Sequence, residues 1–211
     1  MLFSQRGASQ GPESALHDLG RRALYASVGG GVFVFLGAVG FQGKYGQIPP
    51  ILSLVVAAVL IFASLALLTN ADRALVANPA AAITRTPAAH NRYLLITRME
   101  YVGFLLALVV CNLFNQMPWL LPIVAVVSGA QYLALGRLLR SVSSWAKGAL
   151  LCLLAVAVVA FLPPLYPPHT PLAAQVYLWW IVVGFAGGAI LWFDAIFSLI
   201  LGFRGKVPAA R

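Results

Sequence analysis

The chain has 211 residues, 61% of them hydrophobic and only 9% charged. Soluble domains carry about a quarter charged residues, so a water-soluble fold of this length has no means of hiding so much apolar surface. The net charge of +9 does not point to nucleic acid either. The basic residues stand in short segments beside apolar runs, where they set membrane topology, and no basic stripe with interleaved aromatics occurs.

Lipid is crossed by helices or by closed barrels, because every backbone polar group must be paired internally. The apolar stretches here are long and continuous, not alternating strands, and they select helices. The expected fold is all-α: a polytopic membrane protein of six transmembrane helices. Residues 1–23 read as a cytoplasmic lead-in, helical from Pro12 to Arg22, with no secretory h-region. Residues 24–203 form one six-helix domain, and residues 204–211 a cytoplasmic tail.

In chain order, span 1 covers Leu24–Phe41 and span 2 Pro50–Leu68. The segment Asn70–Arg92, broken by Pro79 and Pro87, is the sizeable loop. Span 3 covers Tyr93–Phe114, span 4 Pro118–Leu138 and span 5 Ala146–Leu162. The Pro-rich stretch Pro163–Pro171 ends span 5 as a stiff outer loop. Span 6, Ala174–Phe203, is long enough to tilt.

Arg6, Arg21 and Arg22 precede span 1, and Arg73, Arg85 and Arg92 lie between spans 2 and 3. Arg137, Arg140 and Lys147 separate spans 4 and 5, and Arg204, Lys206 and Arg211 follow span 6. The other side carries only Lys44. This asymmetry places both termini in the cytoplasm, and the expected location is the plasma (inner) membrane. Tyr45, Trp119, Tyr166, Trp179 and Trp180 read as outer interfacial anchors, and Trp145 as an inner one.

Ionisable groups inside a bilayer are costly and are functional candidates by default. Arg98 and Glu100 in span 3, Gln131 in span 4 and Asp194 in span 6 fall at one depth, roughly 8–14 Å from the inner surface at helical rise. Arg98 and Glu100 project about 200° apart on their helix, so at least one needs a partner elsewhere. Asp194 is the natural mate for Arg98, and Gln131 or Tyr132 is placed to hydrogen-bond Glu100. Three readings stay open: a structural clamp, an interfacial Arg98 that snorkels to the headgroups, or a substrate or proton site opening to the cytoplasm.

Small residues mark close helix contacts. Gly184 and Gly188, with Gly187 beside them, form such a pattern in span 6. Ser27 and Gly31, continued by Gly37 and Gly40, form a weaker one in span 1. Internal packing is favoured over dimerisation for both. Cys111 and Cys152 sit near opposite faces and are expected as free thiols.

No catalytic motif, metal set or cofactor site is found. His17, His90 and His169 all fall outside the spans, which removes a bis-histidine haem, and there is no H-E-x-x-H, G-x-S-x-G or P-loop. The expected partners are the lipid bilayer and further copies or subunits of a membrane assembly. A scaffold or accessory subunit is the leading function. A small transporter or channel-like protein using Arg98, Glu100, Gln131 and Asp194 is the alternative, and an intramembrane enzyme ranks last.

One segment has a counterpart elsewhere. Ser128-Gly129-Ala130-Gln131-Tyr132-Leu133-Ala134-Leu135-Gly136-Arg137 resembles a Gly-x-His-Phe-x-Pro-Leu-Ala segment of small multi-span bacterial membrane proteins of uncharacterised function. The resemblance covers about one helix. It departs at Gln131, which stands in place of His, and at Ala134, which stands in place of Pro. It implies architecture only, and any acid–base role of that His is one Gln131 cannot take over.

Overall fold

The computed structural model describes residues 12–44, 47–77, 87–139, 141–166 and 176–204. Six long helices make up nearly all of it: α1 Pro12–Val39, α2 Ile48–Ala77, α3 Pro87–Leu113, α4 Leu120–Leu139, α5 Val142–Phe161 and α6 Leu178–Phe203. Each contains an apolar stretch long enough to cross a membrane. The protein is therefore an all-α, multi-pass integral membrane protein.

The boundaries follow local chemistry. α1 leaves through a turn in which Gln42 and Gly43 take positive φ. Pro87, expected to break a loop, instead stands at the start of α3, where a missing N–H costs nothing. α2 likewise continues to Ala77, well past the expected end of span 2 at Leu68. α3 ends with Asn115 at φ 52°. The amide of Gln116 donates to the carbonyl of Cys111 at 2.8 Å, and that of Asn115 to Asn112 at 3.1 Å. This is the paired closure of a left-handed helix cap, which Asn tolerates. A short 3₁₀ turn, Met117–Trp119, then feeds α4.

α5 starts at Val142, not Ala146, because Ser141 caps it: the Ser141 hydroxyl accepts from the Ser144 amide at 3.3 Å. α6 starts at Leu178, not Ala174. Val176 and Tyr177 form a two-residue strand, β2, antiparallel to β1 at Leu165–Tyr166. Tyr45, Pro79, Arg85, Arg140, His169 and both chain ends lie outside the described residues.

Neighbouring helices run antiparallel, and side by side they follow the order α2–α1–α6–α5–α4–α3. The α1–α6 contact is the most extensive. It places the start of α1 and the end of α6 at one end of the bundle, called here the termini end. The larger apolar core joins Phe33 of α1 to Leu121, Val124 and Ala125 of α4, Leu151 of α5, and Val183 and Leu191 of α6. A smaller one joins Ala23, Leu60, Leu67 and Leu199. Helices α2 and α3 stand at the two edges and present Leu52, Phe62, Leu105 and Leu106 outward, where lipid covers them.

Trp179 and Trp180, expected as interfacial anchors, are core residues, 4% and 5% exposed. Each buries its ring and satisfies its one N–H. Trp179 Nε1 donates to the Leu162 carbonyl at 2.8 Å, and Trp180 Nε1 to the Met117 carbonyl at 3.0 Å. They tie α6 to the ends of α5 and α3–α4. Trp119, Trp145 and Tyr166 are exposed.

Candidate functional site

Small residues bring α1 and α6 together. A Cβ built on Gly184 would collide with the Cα of Gly37, and one on Gly188 with the Val34 side chain. A Cβ on Gly37 would lie 3.0 Å from the Cα of Gly184. The two backbones therefore meet with almost nothing between them. Gly30 gives room for the Trp192 ring, whose Nε1 donates to the Ser27 carbonyl at 3.3 Å. Ser27 and Gly31 face the other neighbour, α2. The Ser27 hydroxyl lies 3.4 Å from that of Ser64, and a Cβ on Gly31 would meet Ala57 at 2.8 Å.

About two turns further towards the termini end, the same pair of helices places Arg22 beside Asp194. The Arg22 Nε lies 3.1 Å from each carboxylate oxygen of Asp194, and Nη2 bonds both Oδ1 and the Ser143 hydroxyl. α5 completes the arrangement. Its capped start turns Ser143 and Lys147, four residues apart and thus on one face, towards α6. The Lys147 Nζ donates to Asp194 Oδ2 at 2.6 Å, and the Ser143 hydroxyl lies 3.2 Å from Oδ1. Lys147 and Asp194 are each 6% exposed. One carboxylate thus joins three helices, with both oxygens occupied.

Glu100 of α3 has different company. Its Oε1 accepts from the Ser128 hydroxyl of α4 at 3.1 Å, and the Gln131 side chain stands nearby. Gly103, one turn along α3, packs on Val127, which sets the α3–α4 spacing. Tyr132, next to Gln131, stands between the two carboxyl groups. The Lys147 ammonium lies 4.8 Å from its ring centroid, and it is within electrostatic reach of both Glu100 and Asp194. A polar string therefore crosses the bundle through five helices: Arg22, Asp194, Lys147, Tyr132, then Gln131, Ser128 and Glu100.

The expected Arg98–Asp194 pair does not form. Arg98 is exposed on the outer face of α3, at the far edge from α6, and Asp194 is held by Arg22 and Lys147. From the sequence alone, those two cations read as topology signals outside the spans. The missed signal was depth. Counted from the capping Ser141, Lys147 lies inside span 5, and Arg22 follows a helix-compatible run from Pro12 with no break before span 1.

Among the described residues, no three His, Cys, Asp or Glu side chains converge as a metal site requires. A cleft of about 230 Å³ at the α4–α5 corner is lined by Gly136, Arg137, Ser141, Val142 and Trp145, and no residue of the polar string lines it. No family model matches the sequence, and no curated protein or solved structure is detectably similar to it. The functional reading rests on the geometry.

Proposed function

We propose that the protein is a scaffold or accessory subunit of a larger membrane assembly, with both termini cytoplasmic in the plasma (inner) membrane. The observation that carries this reading is the state of Asp194. Both of its oxygens are engaged by Arg22, Lys147 and Ser143. A carboxylate that binds and releases a substrate or ion at each turnover needs a free face, whereas one closed on three helices locks them together. The remaining surface suits such a role: the two edge helices present long apolar faces.

The orientation draws support from the basic residues that stay outside the bundle. Arg21, Arg73, Arg92, Arg137 and Arg204 are all exposed near the termini end. The opposite end has Lys44. Setting aside Arg22 and Lys147, which are spent on Asp194, leaves the asymmetry intact.

A four-residue transport site of Arg98, Glu100, Gln131 and Asp194 has less support, because these residues divide among separate partners. The test is flux. Vesicles holding the purified full chain should pass protons and small ions no faster than protein-free vesicles, with or without Asp194→Asn. A flux that the folded Asp194→Asn variant abolishes would overturn the scaffold reading.

A further inference from the structure

The two intramembrane carboxyl groups are built in opposite ways. Asp194 is closed by two cations. Among the described residues, Glu100 is met by the Ser128 hydroxyl, with the Gln131 amide nearby, and both groups are neutral. Both carboxyl groups lie in helices that cross the membrane. A carboxylate in an apolar medium without a counter-charge is unfavourable, and such a group takes a proton instead.

Among the described residues, the charged and titratable groups around Glu100 do not change this. Tyr93 lies on its own helix, while Arg98, also on α3, is turned outward. From α4 comes Tyr132, a phenol that is neutral at ordinary pH. Behind Tyr132 stand Lys147 of α5, Asp194 of α6 and Arg22 of α1, and the two cations there are already bound to Asp194. The shell fits the acid form. An amide offers both a donor and an acceptor, so the acid O–H of Glu100 can donate to the Gln131 carbonyl oxygen while Oε1 accepts from Ser128. In the carboxylate form the same amide presents its NH₂.

We propose that Glu100, with Ser128 and Gln131, forms a proton-binding site at the α3–α4 seam. The proton is taken from water and returned to it, with the carboxyl oxygen as its seat. The site opens towards the edge of the bundle, since α3 is the least covered of the six helices and Glu100 itself is only partly buried. The proposal stands apart from the scaffold reading, which rests on Asp194.

Dicyclohexylcarbodiimide tests it. This apolar reagent partitions into lipid and modifies carboxyl groups that carry a proton, leaving an acylurea adduct on the side chain. The full chain in phosphatidylcholine vesicles is treated across a pH series, and the adduct is located by peptide mass mapping. The expected result is modification of Glu100 at pH 7, where solvated glutamates are ionised, falling as pH rises, with Asp194 unmodified throughout. Ser128→Ala removes a donor to the carboxylate, so the labelling curve should move to higher pH. The proposal is overturned if Glu100 stays unmodified at every pH, or if Asp194 is modified to the same extent. It is also overturned if sodium chloride protects Glu100 at fixed pH where choline chloride does not, because the seat would then belong to a metal cation. Mapping on the unmutated chain makes the outcome independent of whether any variant folds.

Discussion

Arg22 Nε lies 3.1 Å from both carboxylate oxygens of Asp194, although 172 positions separate the two residues. The contact closes the bundle, because it joins the first described helix to the last. It depends on the glycines above it. Only with Gly37 against Gly184 and Gly188 against Val34 do α1 and α6 run close enough for a guanidinium to meet a carboxylate side-on. Lys147 then supplies a second cation from α5, leaving the trio Arg22, Lys147 and Asp194 with one positive charge in excess.

Removing Asp194 should be worse than removing its partners together with it. Asp194→Leu leaves Lys147, 6% exposed, without a counter-charge, and breaking a buried pair from one side costs on the order of 3–5 kcal/mol. Arg22→Leu should cost less, since its side chain is 32% exposed and partly solvated. The triple change Arg22→Leu, Lys147→Met, Asp194→Leu should recover much of the loss. Thermal unfolding in detergent measures each. A triple variant as unstable as Asp194→Leu alone would show that the charges do not act as a unit.

The α1–α6 glycines make a separate expectation. Gly184→Leu and Gly188→Leu place side chains where backbone or Val34 atoms already stand. Each should destabilise by about 1–3 kcal/mol, the range for overpacking. Leu105→Ala, on the exposed face of α3, serves as the comparison and should change little. Equal melting temperatures for all three variants would place the glycines away from a helix contact.

The fold class was legible in the sequence because its signals are additive along the chain. Six apolar stretches were enough, and each falls on one of the six helices, though the helix ends differ. The packing role of Gly184 could be read from spacing, because small residues one turn apart leave few alternatives. The partners of Asp194 could not. Which helices adjoin is set by three-dimensional packing order, and here the last helix lies between the first and the fifth. Positive charges at span ends also serve two purposes, and only the helix starts at Pro12 and Val142 separate them. The burial of Trp179 and Trp180 was hidden for a related reason: an aromatic residue near a span end looks the same whether it faces lipid or a neighbouring turn.

The two cysteines are free thiols, Cys111 buried and Cys152 partly so. Cys111 lies near the far end of α3, while Cys152 packs between α4 and α5, its Sγ close to where a Cβ on Gly129 would stand. No disulfide should be seen on a non-reducing gel. In detergent, maleimide should modify Cys152 faster than Cys111, and unfolding in dodecyl sulfate should equalise the rates. Faster modification of Cys111 would contradict its 2% exposure.

Orientation is open to a direct measurement. Gln42 lies in the exposed turn after α1, and Arg204 follows α6 at the opposite end. In a Cys111→Ser, Cys152→Ser background, Gln42→Cys should react with an impermeant maleimide added to intact cells. Arg204→Cys should react only after the membrane is opened. The reverse pattern would turn the protein over and would make its Lys and Arg distribution an exception to the positive-inside rule.

Glu100 and Asp194 should respond differently to loss of their charge alone. Asp194→Asn keeps the shape but replaces an anion held by Arg22 and Lys147 with a neutral amide. It leaves two cations facing each other, so a large loss is expected, on the order of 3 kcal/mol or more. Glu100→Gln meets only neutral partners. Its amide can still accept from Ser128, so that hydrogen bond persists. A change within about 1 kcal/mol is expected, the size of a single neutral hydrogen bond. Side-by-side melting curves of the two variants decide the matter. If Glu100→Gln proves as damaging as Asp194→Asn, Glu100 is ionised and paired in the folded protein, and the polar string is one charge network from α1 to α3.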